Sequence, residues 1–166
     1  MEDSADRHVA RWRDVEEFPF DEQVEAAVTR LGALARHLRQ TKDDAVAEVG
    51  LQGFEYDTLH ILMLRDTRGV ASPTELADDM RMSPAGMTGR LDTLEAAGLL
   101  RREASPDDRR RVVVSVTDKG RRLWRRAFDL RGEAEQRMLA PLSPAQQRNL
   151  NRLLKRLLLP VEQDRR

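Results

Sequence analysis

The residues best suited to chemistry in this chain lie between Ser83 and Val116. Wound as a helix at about 100° per residue, the segment puts Ala85, Gly86, Gly89 and Thr93 on one side and Met87, Leu91 and Leu94 on the other. A helix face this small lets its backbone approach a groove floor and touch thymine methyl groups, but it supplies few two-pronged base readers. Thr88 and Arg90 flank the face, placed for phosphates or a base edge, and Ser83 caps the start of the helix. Each glycine costs about 1 kcal/mol of helix stability relative to alanine, a cost that close approach would explain. Further on, Asp107, Asp108, Arg109 and Arg110 share a turn. Two arginines there suit a narrow, strongly negative minor groove, and at least one aspartate is expected to orient a neighbouring arginine. The chemistry implied is binding of double-stranded DNA, read largely through DNA shape. The plainer alternative is a solvated helix and hairpin with incidental arginines.

The flanking sequence supplies the elements that must hold those residues. Pro84 follows the Ser83 cap with a φ suited to a first helical turn, and Gly98 stands where a left-handed residue ends the helix. Leu99–Glu103 and Arg111–Val116 read as paired strands, the second from the alternation of Val112, Val114 and Val116, joined by a turn over Ala104–Arg110. Ser72-Pro73-Thr74-Glu75 is a capping box opening a short helix to about Asp79. With a tight turn at Met80–Met82, this gives the spacing of a helix-turn-helix.

On the N-terminal side, Phe54–Arg65 reads as a helix with Leu59, Leu62 and Met63 inward. Before it, Val24, Ala27, Val28, Leu31, Leu34, Ala35 and Leu38 mark one face of a helix that starts at Asp21 and stops around Gly50–Gly53. Trp12 argues for a short leader helix across Ser4–Glu16, since its large apolar area gains most when buried; a disordered leader is the alternative. On the C-terminal side, Thr117 or Asp118 caps a long helix to about Leu139, and Ser143–Gln146 is a second capping box. The last helix carries Leu150, Leu153, Leu154, Leu157 and Leu158.

The fold expected is mainly α with a small β-hairpin wing: a winged helix-turn-helix with N- and C-terminal dimerisation helices. Residues 1–20 form an N-terminal extension, 21–50 and 118–160 the dimerisation helices, and 54–117 the DNA-binding lobe. The end helices carry more apolar surface than a small lobe can cover. Burying it in a homodimer would place two recognition helices about 34 Å apart, matching a palindromic operator. A monomer with these helices folded back is the alternative.

Composition narrows the function classes. The 166 residues carry 29 basic and 29 acidic side chains, yet the charge is unevenly spread. Residues 1–80 hold 9 basic and 18 acidic groups, whereas residues 81–126 hold 12 basic and 6 acidic, the footprint of a polyanion site. The absence of cysteine excludes disulfides, thiolate metal ligands and thiol redox switches from this chain. No apolar run approaches the ~20 residues of a membrane span, and Met1–Asp14 lacks the apolar core of a signal peptide, so a cytoplasmic location is expected and no membrane partner. His8, His37 and His60 are scattered, with no HExxH, Gly-rich phosphate loop or nucleophile motif. Neither an enzyme nor a cofactor or metal site is expected.

The run from Leu51 to Gly120 resembles the multiple-antibiotic-resistance regulator (MarR) family. The matching pieces are PTELADDMRMSPAGMTGRLDTLEAAGLLRR and the wing SPDDRRRVVVSVTDKG. The resemblance implies a homodimeric winged helix-turn-helix repressor of a nearby gene, relieved by a small ligand. One departure is Gly89, where the family often has Thr or Ser, which removes a phosphate contact. A narrower resemblance is to urate-responsive members with an extra N-terminal helix, whose ligand positions match Trp12, Asp57, Arg90 and Arg102. In that reading the arginines pair with an anion, Trp12 stacks on a planar ring, and Asp57 accepts from ring N–H groups. Phenolic acids and tricarboxylates also suit two arginines. The rival reading is an architectural winged-helix protein with no small-molecule effector.

Overall fold

The computed structural model describes residues 2–13, 20–65, 69–105 and 111–164. In chain order these form α1 (Ser4–Arg13), α2 (Glu22–Glu48), α3 (Gly53–Arg65), β1 (Val70–Ala71), α4 (Pro73–Asp79), α5 (Pro84–Ala96), β2 (Leu100–Ala104), β3 (Val112–Val116), α6 (Asp118–Leu139) and α7 (Pro144–Gln163). The helix starts follow from their caps. The Asp21 carboxylate accepts from the N–H groups of Gln23 and Val24, Ser83 accepts from Gly86 N–H, and Thr117 from Gly120 N–H. Ser72 with Glu75 and Ser143 with Gln146 complete reciprocal capping boxes. Gly98, at φ 67°, takes the left-handed conformation that ends α5.

Two expectations about the strands change. Val70 and Ala71 add a third strand, so the sheet runs β1-β3-β2, all antiparallel, with Leu100 opposite Val116 and Arg102 opposite Val114. Val114 and Val116 are buried, but Val112 is 47% exposed. It pairs with Ala104 at the outer end of the hairpin, beyond the reach of the core.

The core fills the space between α3, α4, α5 and the sheet. Tyr56, Leu59, Leu62, Leu76, Met87, Leu91, Leu94, Leu99, Leu100 and Val114 are almost fully enclosed. Burying each large apolar side chain contributes about 1.5–3 kcal/mol, so the orientation of α5 is set by three anchors on its inner face. The start of α6 is then locked to the end of α5. Thr117 Oγ1 donates to the Gly98 carbonyl at 2.8 Å, and Lys119 Nζ donates to the Ala97 carbonyl at 2.8 Å. A Cβ on Gly120 would stand 2.1 Å from the Leu99 carbonyl oxygen, so only glycine fits this approach.

Outside that lobe, apolar surface is left open. Val24, Val28, Leu31, Leu34 and Leu38 of α2 are exposed, and α7 contains no buried residue. Leu157 and Leu158 are more than half exposed. A groove of about 980 Å³ between α2 and the α6–α7 corner is lined by Leu31, Leu34, Leu38, Leu139, Leu150 and Leu154 among others. α1 packs on α2 through Ala5 and Val9, flanked by Arg30 with Asp3 and Asp6, and by Arg13 with Glu22. None of the described helices is long and apolar enough to cross a membrane.

Candidate nucleic-acid interface

Helix α5 presents the small face expected from its sequence. Ser83, Ala85, Gly86, Thr88 and Gly89 are exposed, opposite buried Met87, Leu91 and Leu94. The two glycines differ in what the fold asks of them. A Cβ on Gly86 would come within 3.2 Å of the capping Ser83 Oγ, whereas a Cβ on Gly89 would meet nothing within 4 Å. Packing within the chain therefore gives no reason for glycine at 89. The Thr88 and Thr93 hydroxyls donate to the carbonyls of Pro84 and Gly89, each at 3.0 Å, which keeps them folded back on the helix.

Arg90, half-buried, lies with its guanidinium carbon 5.6 Å from the centre of the Phe54 ring. This is a cation–π contact between the recognition helix and α3, and among the described residues the charge has no carboxylate partner. At the wing, Ser105 N–H donates to the Arg111 carbonyl at 2.8 Å, closing the hairpin stem. Asp107, Arg109 and Arg110 of the expected wing tip lie outside the described residues.

The four residues implied by the urate-type resemblance are each engaged with neighbours of their own. Arg102 on β2 reaches Asp92 and Glu95 on α5 at 2.6 and 2.8 Å, and also donates to the Thr88 carbonyl at 3.3 Å. Burial alone would lower its pKa, but the two carboxylates outweigh that and raise it, so the guanidinium is a strap between wing and recognition helix. Asp57 on α3 accepts from Lys42 Nζ of α2 at 2.7 Å. Trp12 is 38% exposed, and its indole N–H points at His8 Nε2 at 3.0 Å. That same nitrogen stands 2.8 Å from Glu25 Oε1. It can accept from Trp12 or donate to Glu25, but not both at once. Arg90 meets α3 at Phe54, whereas Asp57, three residues further along α3, faces Lys42 of α2. Among the described residues, neither the groove beside α2 and α7 nor a second one between the start of α4 and the wing stem is lined by any of the four.

Sequence reasoning missed the polar joint that ties the lobe to α6. His60 stacks on Tyr56 at 5.5 Å and lies 6.1 Å from Phe128, and its Nδ1 accepts from Trp124 Nε1–H at 3.2 Å. Arg131 donates to the Tyr56 hydroxyl at 3.2 Å and sits over the Phe128 ring. Burial lowers the His60 pKa, helped by the Arg131 charge, so the neutral ring that Trp124 requires is favoured. Burial likewise raises the Tyr56 hydroxyl, keeping it protonated. The signal was present as two aromatic i,i+4 pairs, Tyr56 with His60 and Trp124 with Phe128. A second link, Arg65 with Asp79 at 2.5 Å and Glu75 at 2.9 Å, ties the end of α3 to α4.

Comparison with known proteins agrees with this architecture. A family model described as MarR family matches residues 55–112. The HTH-type transcriptional regulator PecS of Dickeya dadantii is 30% identical over 149 residues, covering 90% of this chain and 89% of that protein. An HTH-type transcriptional repressor of Mycobacterium tuberculosis, Rv2887, is 35% identical over 128 residues, covering 77% of this chain and 88% of that one. Among solved structures, a Staphylococcus aureus MepR variant bound to an oligodeoxyribonucleotide superposes with a TM-score of 0.63 at 18% identity, over 81% of this chain and 97% of that one. At that identity the match speaks to the fold.

Proposed function

The chain belongs to the MarR family, a family of HTH-type transcriptional regulators, and we propose that it is a repressor that grips a palindromic operator as a homodimer and leaves it when a small anionic, planar metabolite binds. The observation that carries the DNA reading is Gly89: a helix-weakening residue, on the exposed face of a well-capped helix, where among the described residues nothing lies close enough to require glycine. In the complex, Ala85, Gly86 and Gly89 bring the α5 backbone against the groove floor. Ser83, Thr88 and Arg90 lie along the phosphates, and Arg109 and Arg110, with Asp107 orienting them, enter the flanking minor groove. Such a protein works where its DNA is, in the cytoplasm.

The dimer reading rests on the open apolar faces of α2 and α7 and on the groove between them, which a second copy would fill. Residues 21–50 and 118–160 then serve as the dimerisation helices, 54–117 as the DNA-binding lobe, and 1–20 as an extension carrying Trp12.

For the effector, Arg90 and Arg102 would pair with the anion, Trp12 would stack on its ring, and Asp57 would accept from it. Engaging Arg102 requires drawing it away from Asp92 and Glu95, which would loosen the strap holding α5 to the wing. That exchange couples ligand binding to release of DNA. Urate is the first compound to try, followed by phenolic acids and tricarboxylates. A second reading, an architectural winged-helix protein with no effector, is favoured by the partners that Arg102 and Asp57 already have. Binding to the chain's own promoter DNA at fixed salt, with and without urate, separates the two. Release by urate that is blunted in Arg90→Ala and Trp12→Phe supports the effector site. Tight DNA binding that neither urate nor the other anions disturb supports the architectural reading.

A further inference from the structure

The turn between α4 and α5 contains a non-glycine residue in the left-handed region: Arg81, at φ 51°. It stands two residues before the Ser83 cap, on the segment that delivers α5 to its site. Its N–H donates to the Asp78 carbonyl at 3.1 Å, and the next residue's N–H reaches the Ala77 carbonyl at 2.8 Å. The conformation is therefore held by backbone bonds at the end of α4, and a residue with a Cβ is strained there. Glycine would meet the same geometry without that strain, and helix-turn-helix turns often contain it.

Among the described residues, the side chain receives no polar contact in return. Arg81 is exposed, and among the described residues its guanidinium makes no hydrogen bond or ion pair. Acidic groups are close along the chain, but Arg65 takes Asp79 and Glu75. Between Pro73 and Ala96 the only other cation is Arg90, which rests on Phe54. A strained backbone conformation carrying an uncommitted charge, beside the start of a reading helix, is the pattern of a residue kept for a partner outside the chain.

We propose that Arg81 is a phosphate anchor: its guanidinium holds the DNA backbone beside the groove that α5 enters. This rests on the DNA-binding reading above and adds a contact that the sequence did not single out. The turn fixes where α5 begins, so a phosphate gripped from Arg81 sets how the Gly86–Gly89 face enters the groove.

The test compares the wild-type protein with Arg81→Gly, Arg81→Gln and Arg81→Lys, measuring melting temperature and affinity for a promoter duplex across a salt series. Arg81→Gly is expected to melt a few degrees higher and to bind at least fivefold more weakly near physiological salt. Its slope of log K against log salt should be shallower by about 0.9 per protomer, one phosphate contact each. Arg81→Gln should lose the same slope without the rise in melting temperature, and Arg81→Lys should keep most of it. If Arg81→Gly and Arg81→Gln bind with wild-type affinity and slope, the anchor is overturned while the DNA reading stands. If the wild-type protein shows no salt-dependent binding, both fall together.

Discussion

Gly89 and Gly120 show how the same residue serves opposite ends. At Gly120 a Cβ would press on the Leu99 carbonyl, so Gly120→Ala should destabilise the fold by about 1–3 kcal/mol through overpacking. At Gly89 the space is open, and Gly89→Ala should stabilise by about 1 kcal/mol through helix propensity alone. Thermal denaturation of the two variants checks the signs. The functional expectation runs the other way: Gly89→Ala folds better and binds operator DNA more weakly, because its methyl group faces the groove. A variant that is more stable and binds DNA equally well would show that close approach is not what glycine provides there.

At the scale of elements, the α3–α6 joint should make the protein sensitive to acid. His60 has its pKa depressed in the fold, so the unfolded chain takes up a proton first as pH falls. The stabilisation is complete above the ordinary histidine pKa of about 6.5 and is lost as pH falls from there toward the lower folded value. Protonation would also set an N–H of His60 against that of Trp124, while Lys42 and Arg131 nearby repel the new charge and Asp57 favours it. Melting temperatures measured between about pH 7.5 and pH 5.5 should fall on acidification, and His60→Gln should flatten the profile. An unchanged profile in that variant would place the sensitivity elsewhere. This joint was legible in part: the aromatic spacing lay in the sequence, but only packing showed that the two pairs meet. The helices themselves were readable, because Asp21, Ser72, Ser83, Thr117 and Ser143 announce their starts chemically. Strand β1 was not, since two residues carry no periodicity. Nor was the Arg102 strap, whose carboxylates come from α5, a different element, and are brought to it only by the fold.

At the scale of the molecule, α2 and α7 leave apolar faces open that the proposed homodimer would cover. Leu34, Leu38 and Leu154 line an apolar groove, and Leu157 and Leu158 continue the apolar surface along α7. Leu154→Glu should shift the protein from dimer to monomer in sedimentation and should weaken operator binding with it, because one recognition helix then reads one half-site. A monomeric variant with undiminished operator affinity would argue against the paired geometry. The charge distribution fits the same picture, with acidic excess in residues 1–80 and the basic excess where the reading helix and wing lie. The measurement that tests this most directly is titration of a promoter duplex with the wild-type protein over a salt series, reading affinity and stoichiometry together. The result expected is two chains per site, with log K falling linearly in log salt by a slope of several units. Affinity independent of salt, or one chain per site at full occupancy, would contradict a dimeric DNA reader.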